Sequence, residues 1–130
     1  MSETLRVTAV PGTTTPREGW FGPASPYVEA VWLPTVGPSS FLVWRRLASA
    51  LEHEPAVTTS LEELAGALGL GSPRGTQSAI ARALRRLQRH GLAWQPVGSV
   101  LFVRCSLPKL GATQLERLHP SVRRRHYELT

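Results

Sequence analysis

The stretch that most constrains this chain is GTQSAIARALRRLQRHG, residues 75–91. Turned at about 100° per residue, it gathers Ile80, Leu84 and Leu87 on one side, with Ala83 beside them. Arg82, Arg85, Arg86 and Arg89 fall on the opposite side. Such a segment is a helix whose apolar side must be covered and whose cationic side faces outward. The outward side is either the solvated back of a surface helix or a surface for something negative. Arginine is a good helix former, which suits the first reading. A solvated helix usually gains support from glutamates at i±4, and this one has none, which favours the second.

The charge distribution points the same way. Fifteen basic residues against nine acidic ones give a net charge of +6. Between Glu63 and Glu116 there is no acidic residue, and that interval holds Arg74, Arg82, Arg85, Arg86, Arg89, Arg104 and Lys109. A block of this kind creates a local field that favours a polyanion, unless acids from elsewhere fold back beside it. A length of 130 residues suits one domain with one core, and 42% apolar residues is ordinary for one.

Little in the chain suggests catalysis. There is no Asp, and His53, His90, His119 and His126 lack metal-ligand spacing to one another or to Cys105. Glu62 and Glu63 are adjacent, so on a helix they diverge and serve its N-terminus rather than act as an acid–base pair. The stretch GLGSPRG lacks the lysine of a phosphate-binding loop. We therefore expect no enzyme, no metal and no cofactor. Cys105, the single cysteine, alternates with core positions and reads as a buried small hydrophobe. No apolar run approaches the roughly 20 residues that span a bilayer, and the N-terminus has no apolar signal region. A reducing cytoplasm is the expected compartment.

Along the chain, residues 1–24 are rich in Thr, Pro and Gly and read as a flexible N-terminal arm, with Trp20 and Phe21 able to dock on the domain. Order is expected from SPYVEAVWLP, a short apolar helix opened by Ser25 and Pro26 and closed by Pro34. A second helix starts at Pro38 or Ser39, with Val43, Trp44, Leu47, Ala48 and Leu51 as its buried stripe and Pro55 as its stop. In TSLEELAGALGL, Ser60 and Glu63 form a capping box, Leu61, Leu64, Ala65 and Leu68 form the core stripe, and Gly69 gives a left-handed end. The basic helix follows. Residues 92–95 and 100–107 then read as two strands about the turn Pro96-Val97-Gly98-Ser99. The last stretch gives one or two short helices interrupted by Pro120.

Helix, capped helix, glycine-containing turn, basic helix and hairpin, carried by SLEELAGALGLGSPRGTQSAIARALRRLQRHGLAW, together resemble the winged helix-turn-helix family over roughly residues 38–107. The resemblance implies a mainly α fold with a small β-hairpin, divided as arm 1–24, winged helix-turn-helix domain 25–107 and C-terminal helical extension 108–130. It also implies a double-stranded DNA-binding transcriptional regulator of bacterial type, associated with the nucleoid and acting as a homodimer. The helix over 74–90 would enter the major groove, which admits one helix. Arg74, Thr76, Gln77, Ser78 and Arg82 would then reach base edges, while Arg85, Arg86 and Arg89 hold phosphates. Arg104 is the one cation near the hairpin, whose tip is uncharged, a departure from the family's pattern. The segment YVEAVWLPTVG is similar to the opening of Gram-positive primosomal replication-initiation winged-helix domains. That similarity implies a dimer or partner face at Tyr27, Val31, Trp32 and Leu33, although the same residues would equally complete the monomer core. The alternative function is a protein-interaction adaptor of a replication, partition or transcription assembly, using that apolar helix.

Overall fold

The computed structural model describes residues 4–130. Strand β1, Thr4–Ala9, opens it, and β2, Trp20–Phe21, follows. A π-helical turn, Val28–Trp32, runs into α1, Leu33–Val36. Then come α2, Pro38–Ala50, β3, Ala56–Ser60, α3, Leu61–Leu68, and α4, Ala79–Arg89. The hairpin β4, Ala93–Val97, and β5, Val100–Val103, precedes β6, Leu107–Pro108, α5, Ala112–Glu116, and α6, Pro120–Leu129. Helices α2, α3 and α4 pack together beside a mixed four-stranded sheet of order β3-β1-β5-β4. This is an α/β domain, with more sheet than a mainly α chain carrying only a hairpin.

The expected flexible arm is the largest correction. Thr4–Ala9 is an inner strand, antiparallel to β3 and parallel to β5. Leu5 and Val7 point into the core while Thr4 and Arg6 face solvent. Two apolar residues in alternation are too few to announce a strand by themselves. The strand exists because β3 and β5, distant in sequence, offer their edges to it. Strand β3 was likewise not anticipated. Further along the same segment, Phe21 stacks on Tyr27 with centroids 4.3 Å apart, and β2 pairs with β6. The docking expected of the two adjacent aromatics is thus present.

The apolar segment near residue 30 is longer than Pro34 suggested. A proline inside a helix removes an N–H and collides with the carbonyl four residues back. The π turn relieves this by widening the ladder just before it, with Leu33 N–H bonded to Val28 O. The helix then continues to Val36 and stops at Gly37, whose φ of 93° only glycine adopts without strain.

Tyr27, Val28, Val31 and Trp32 are all buried within this one chain. Trp32 Nε1 donates to Pro108 O at 2.9 Å, and the Tyr27 hydroxyl bonds to α6. The dimer or partner face proposed from the sequence at Tyr27, Val31, Trp32 and Leu33 is therefore corrected. Tyr27, Val31 and Trp32 belong to the monomer's core, and Leu33 is half-buried against it. The C-terminal extension belongs to the same unit, because α6 packs on the π turn.

Candidate nucleic-acid interface

Helix α4 is held by its neighbours before it presents anything. Ser78 caps it, its hydroxyl accepting from Ala81 N at 3.3 Å. Ile80, Ala83, Leu84 and Leu87 are buried, as their spacing predicts. On the α2 side the two helices come close enough for the buried Ser40 hydroxyl to donate to Ala83 O at 3.3 Å. Leu92 N–H, bonded to Leu87 O, closes the C-terminal end.

Arg82, Arg85, Arg86 and Arg89 are exposed and lie within an arc of about 100°. Arg82 and Arg89 stand at its middle. Arg85 borders a groove of about 200 Å³ that also touches Gln88, Gln95, Gly98 and Ser99, so the hairpin tip flanks the helix on that side. The tip is held by Gln95 Nε2 donating to Gly98 O. On the other side the Arg86 guanidinium lies against the turn at Gly37, where a Cβ would stand 3.6 Å from its Cζ. The arginine face is thus framed by the hairpin tip and by the start of α2. At the end of α4, burial, Arg86 and Arg89 together hold the His90 imidazole below its usual pKa.

Helix α3 supplies the preceding element. Ser60 Oγ accepts from Glu63 N at 3.1 Å, as the sequence predicts. The Glu63 carboxylate, however, takes the Thr59 hydroxyl at 3.0 Å rather than completing the reciprocal box. Gly69 ends the helix at φ 67°, the left-handed conformation expected of it.

Other candidate residues fall outside this arrangement. The helix begins at Ala79, not at residue 74, so Arg74, Thr76 and Gln77 sit on the exposed loop between α3 and α4. Polar Ser and Gly residues with positive φ at Gly71 and Gly75 suit a loop there better than a first helical turn. The Ser78 hydroxyl is engaged as the cap. Arg104 lies at the base of the hairpin, away from its tip. It is half-buried, its guanidinium lies 5.7 Å from the Trp20 ring, and its backbone bonds Leu92 and Trp44. It follows the end of β5 and keeps the outward side of the alternation, but the segment between β1 and β2 covers it there.

Three arginines elsewhere have local partners. Arg45 pairs with Glu29 at 3.7 Å and lies over Phe41. Arg123 donates to Leu118 O at 2.7 Å and Arg125 pairs with Glu128. Sequence reasoning missed Trp94, which is 61% exposed on the outer face of β4 beside Phe102, with Val97 67% exposed at the strand's end. The signal was available, since Ala93 facing inward sends its neighbour outward.

No group of histidine, cysteine or acidic side chains that could hold a metal occurs among the described residues. Nor, among those residues, is any helix long and apolar enough to cross a membrane. Comparison with protein-family models, with curated proteins and with solved structures gave no match to this chain.

Proposed function

We propose that this chain binds double-stranded DNA, with α4 laid against the duplex and the β4–β5 hairpin beside it, in the manner of a winged helix. One observation carries the reading. Arg82, Arg85, Arg86 and Arg89 are exposed on one framed helix face, and among the described residues none is paired with a carboxylate. Arginines so arranged neutralise phosphates and release their counterions. Arg82 and Arg89, at the centre of the face, sit deepest against the duplex, while Arg85 and Arg86 grip its borders. Arg74, Thr76 and Gln77 reach bases or backbone from the loop that precedes the helix. A transcriptional regulator is the role this best suits.

Two features depart from a tight helix-turn-helix. The link over residues 69–78 is longer than the roughly 3–4-residue turn of that motif. Strand β1 also stands between β3 and the hairpin. Both leave the α4 face open.

The test is fluorescence anisotropy of a mixed-sequence duplex at two salt concentrations, wild type beside Arg82→Ala/Arg85→Ala. Binding should weaken with salt, each neutralised phosphate contributing roughly −0.9 to the slope of log affinity against log salt. The double variant should lose most of it while remaining folded. A folded wild type that fails to bind at low salt overturns the proposal.

A second reading, an adaptor that binds another protein, rests on Trp94 and Val97, the exposed apolar residues of the hairpin. Trp94→Ala would then abolish partner binding and leave DNA affinity unchanged.

A further inference from the structure

A cavity of about 240 Å³ opens where the segment between β1 and β2 folds over the end of β5. Its walls include Thr13, Arg17, Trp20, Arg104 and Ser106, and among the described residues no carboxylate lines it. The Arg104 backbone is fixed on both sides, its N–H bonded to Leu92 O at 2.9 Å and its carbonyl accepting from Trp44 Nε1 at 2.6 Å. Its guanidinium rests over the Trp20 ring. Arg104 Nε is shut from solvent and, among the described residues, is the one buried side-chain polar atom without a hydrogen-bond partner. Buried donors, charged ones above all, ordinarily find acceptors.

Arg17 brings a second guanidinium to the same walls, held near Trp20 by a turn in which Trp20 N–H bonds Arg17 O at 2.9 Å. Ser106, buried overall, lines the same cavity. Thr13 is already engaged, donating to Val10 O and accepting from Cys105 N–H.

We propose that this cavity is a binding site for a small organic oxyanion, a carboxylate or phosphate carried on a compact planar group. The two guanidiniums supply charge-assisted hydrogen bonds, Ser106 adds a neutral donor, and the Trp20 ring offers a flat apolar wall. An anion relieves the mutual repulsion of two arginines facing one cavity. The volume lies below the range of about 300–1,000 Å³ typical of drug-sized ligands, which restricts the guest to a small acid. The site is independent of the DNA-facing helix, and either can fail without the other.

Isothermal calorimetry on the full chain tests it with inorganic phosphate, benzoate and the neutral benzamide, each to about 10 mM. Saturable binding of phosphate or benzoate, but not benzamide, is expected, and which of the two binds more tightly identifies the favoured source of the oxyanion. Arg17→Ala should weaken it about tenfold or more. That side chain is exposed and makes no bond the fold needs, so the variant remains folded. Arg82→Ala/Arg89→Ala should leave it unchanged. The absence of saturable binding, equal binding of benzamide, or binding that follows Arg82 and Arg89 instead of Arg17 overturns the proposal.

Discussion

The Tyr27 hydroxyl stands 2.7 Å from Nδ1 of His126, 99 residues further along the chain. The same oxygen accepts Leu110 N–H at 3.0 Å, so one hydroxyl serves both the loop before α5 and the imidazole of α6. The bond ties α6 to the π turn. Burial, aided by the charge of Lys109, holds the His126 pKa below 6.5.

Acid should therefore loosen the domain. In the unfolded chain this histidine takes a proton near pH 6.5, while the folded form resists it. The contribution is complete above about pH 6.5 and fades as pH falls towards the lower folded value. Urea unfolding between pH 7.5 and 5 should show stability decreasing with acid, and His126→Gln should flatten that slope. Tyr27→Phe should cost about 1–3 kcal/mol at neutral pH by orphaning two buried groups. An unchanged midpoint in Tyr27→Phe would show that the bond carries no weight.

His90 gives a second pH effect of opposite use. Burial and the charges of Arg86 and Arg89 keep its pKa low. Phosphates docking on those arginines would relieve that pressure, so binding takes up a proton. DNA affinity should rise as pH drops from 7 to 6, and His90→Gln should remove the rise. A pH-independent affinity in wild type would mean that no phosphate comes near this end of α4.

The N-terminal strand makes a plain prediction. Val7 is fully buried between β3 and β5. Val7→Ala should destabilise by about 1–3 kcal/mol through lost packing and an unfilled cavity. A chain lacking residues 1–9 should lose cooperative unfolding in urea. Retention of a sharp transition would restore the view of this segment as an arm.

Cys105 should be chemically silent. Burial raises its thiol pKa, outweighing the opposing influence of the nearby Thr13 hydroxyl. A thiol reagent at neutral pH should react only as fast as the protein opens, and quickly in urea. Immediate reaction in native buffer would contradict the buried position.

Helix α4 was legible because its information is local. Apolar residues at 3–4 spacing with arginines opposite specify both the element and its buried side, whatever the helix packs against. The Ser60 cap, the Gly69 end and the stripe of α2 were readable for the same reason. What residues 1–24 do was not, since Leu5 and Val7 become a strand only where two distant edges accept their backbone groups.

The segment at Tyr27–Trp32 divides the two kinds of knowledge most clearly. The sequence established that so many large apolar side chains must be covered. Whether a partner or the chain itself covers them depends on where β6 and α6 return, and the fold brings Pro108 O to Trp32 and His126 to Tyr27. Arg104 divides them in the same way. Its charge is written in the chain, but its placement over Trp20 exists only after the β1–β2 segment has closed on β5. Patterns along one helix are set by geometry within a few residues. Contacts across a hundred residues are set by which surfaces the rest of the core leaves free.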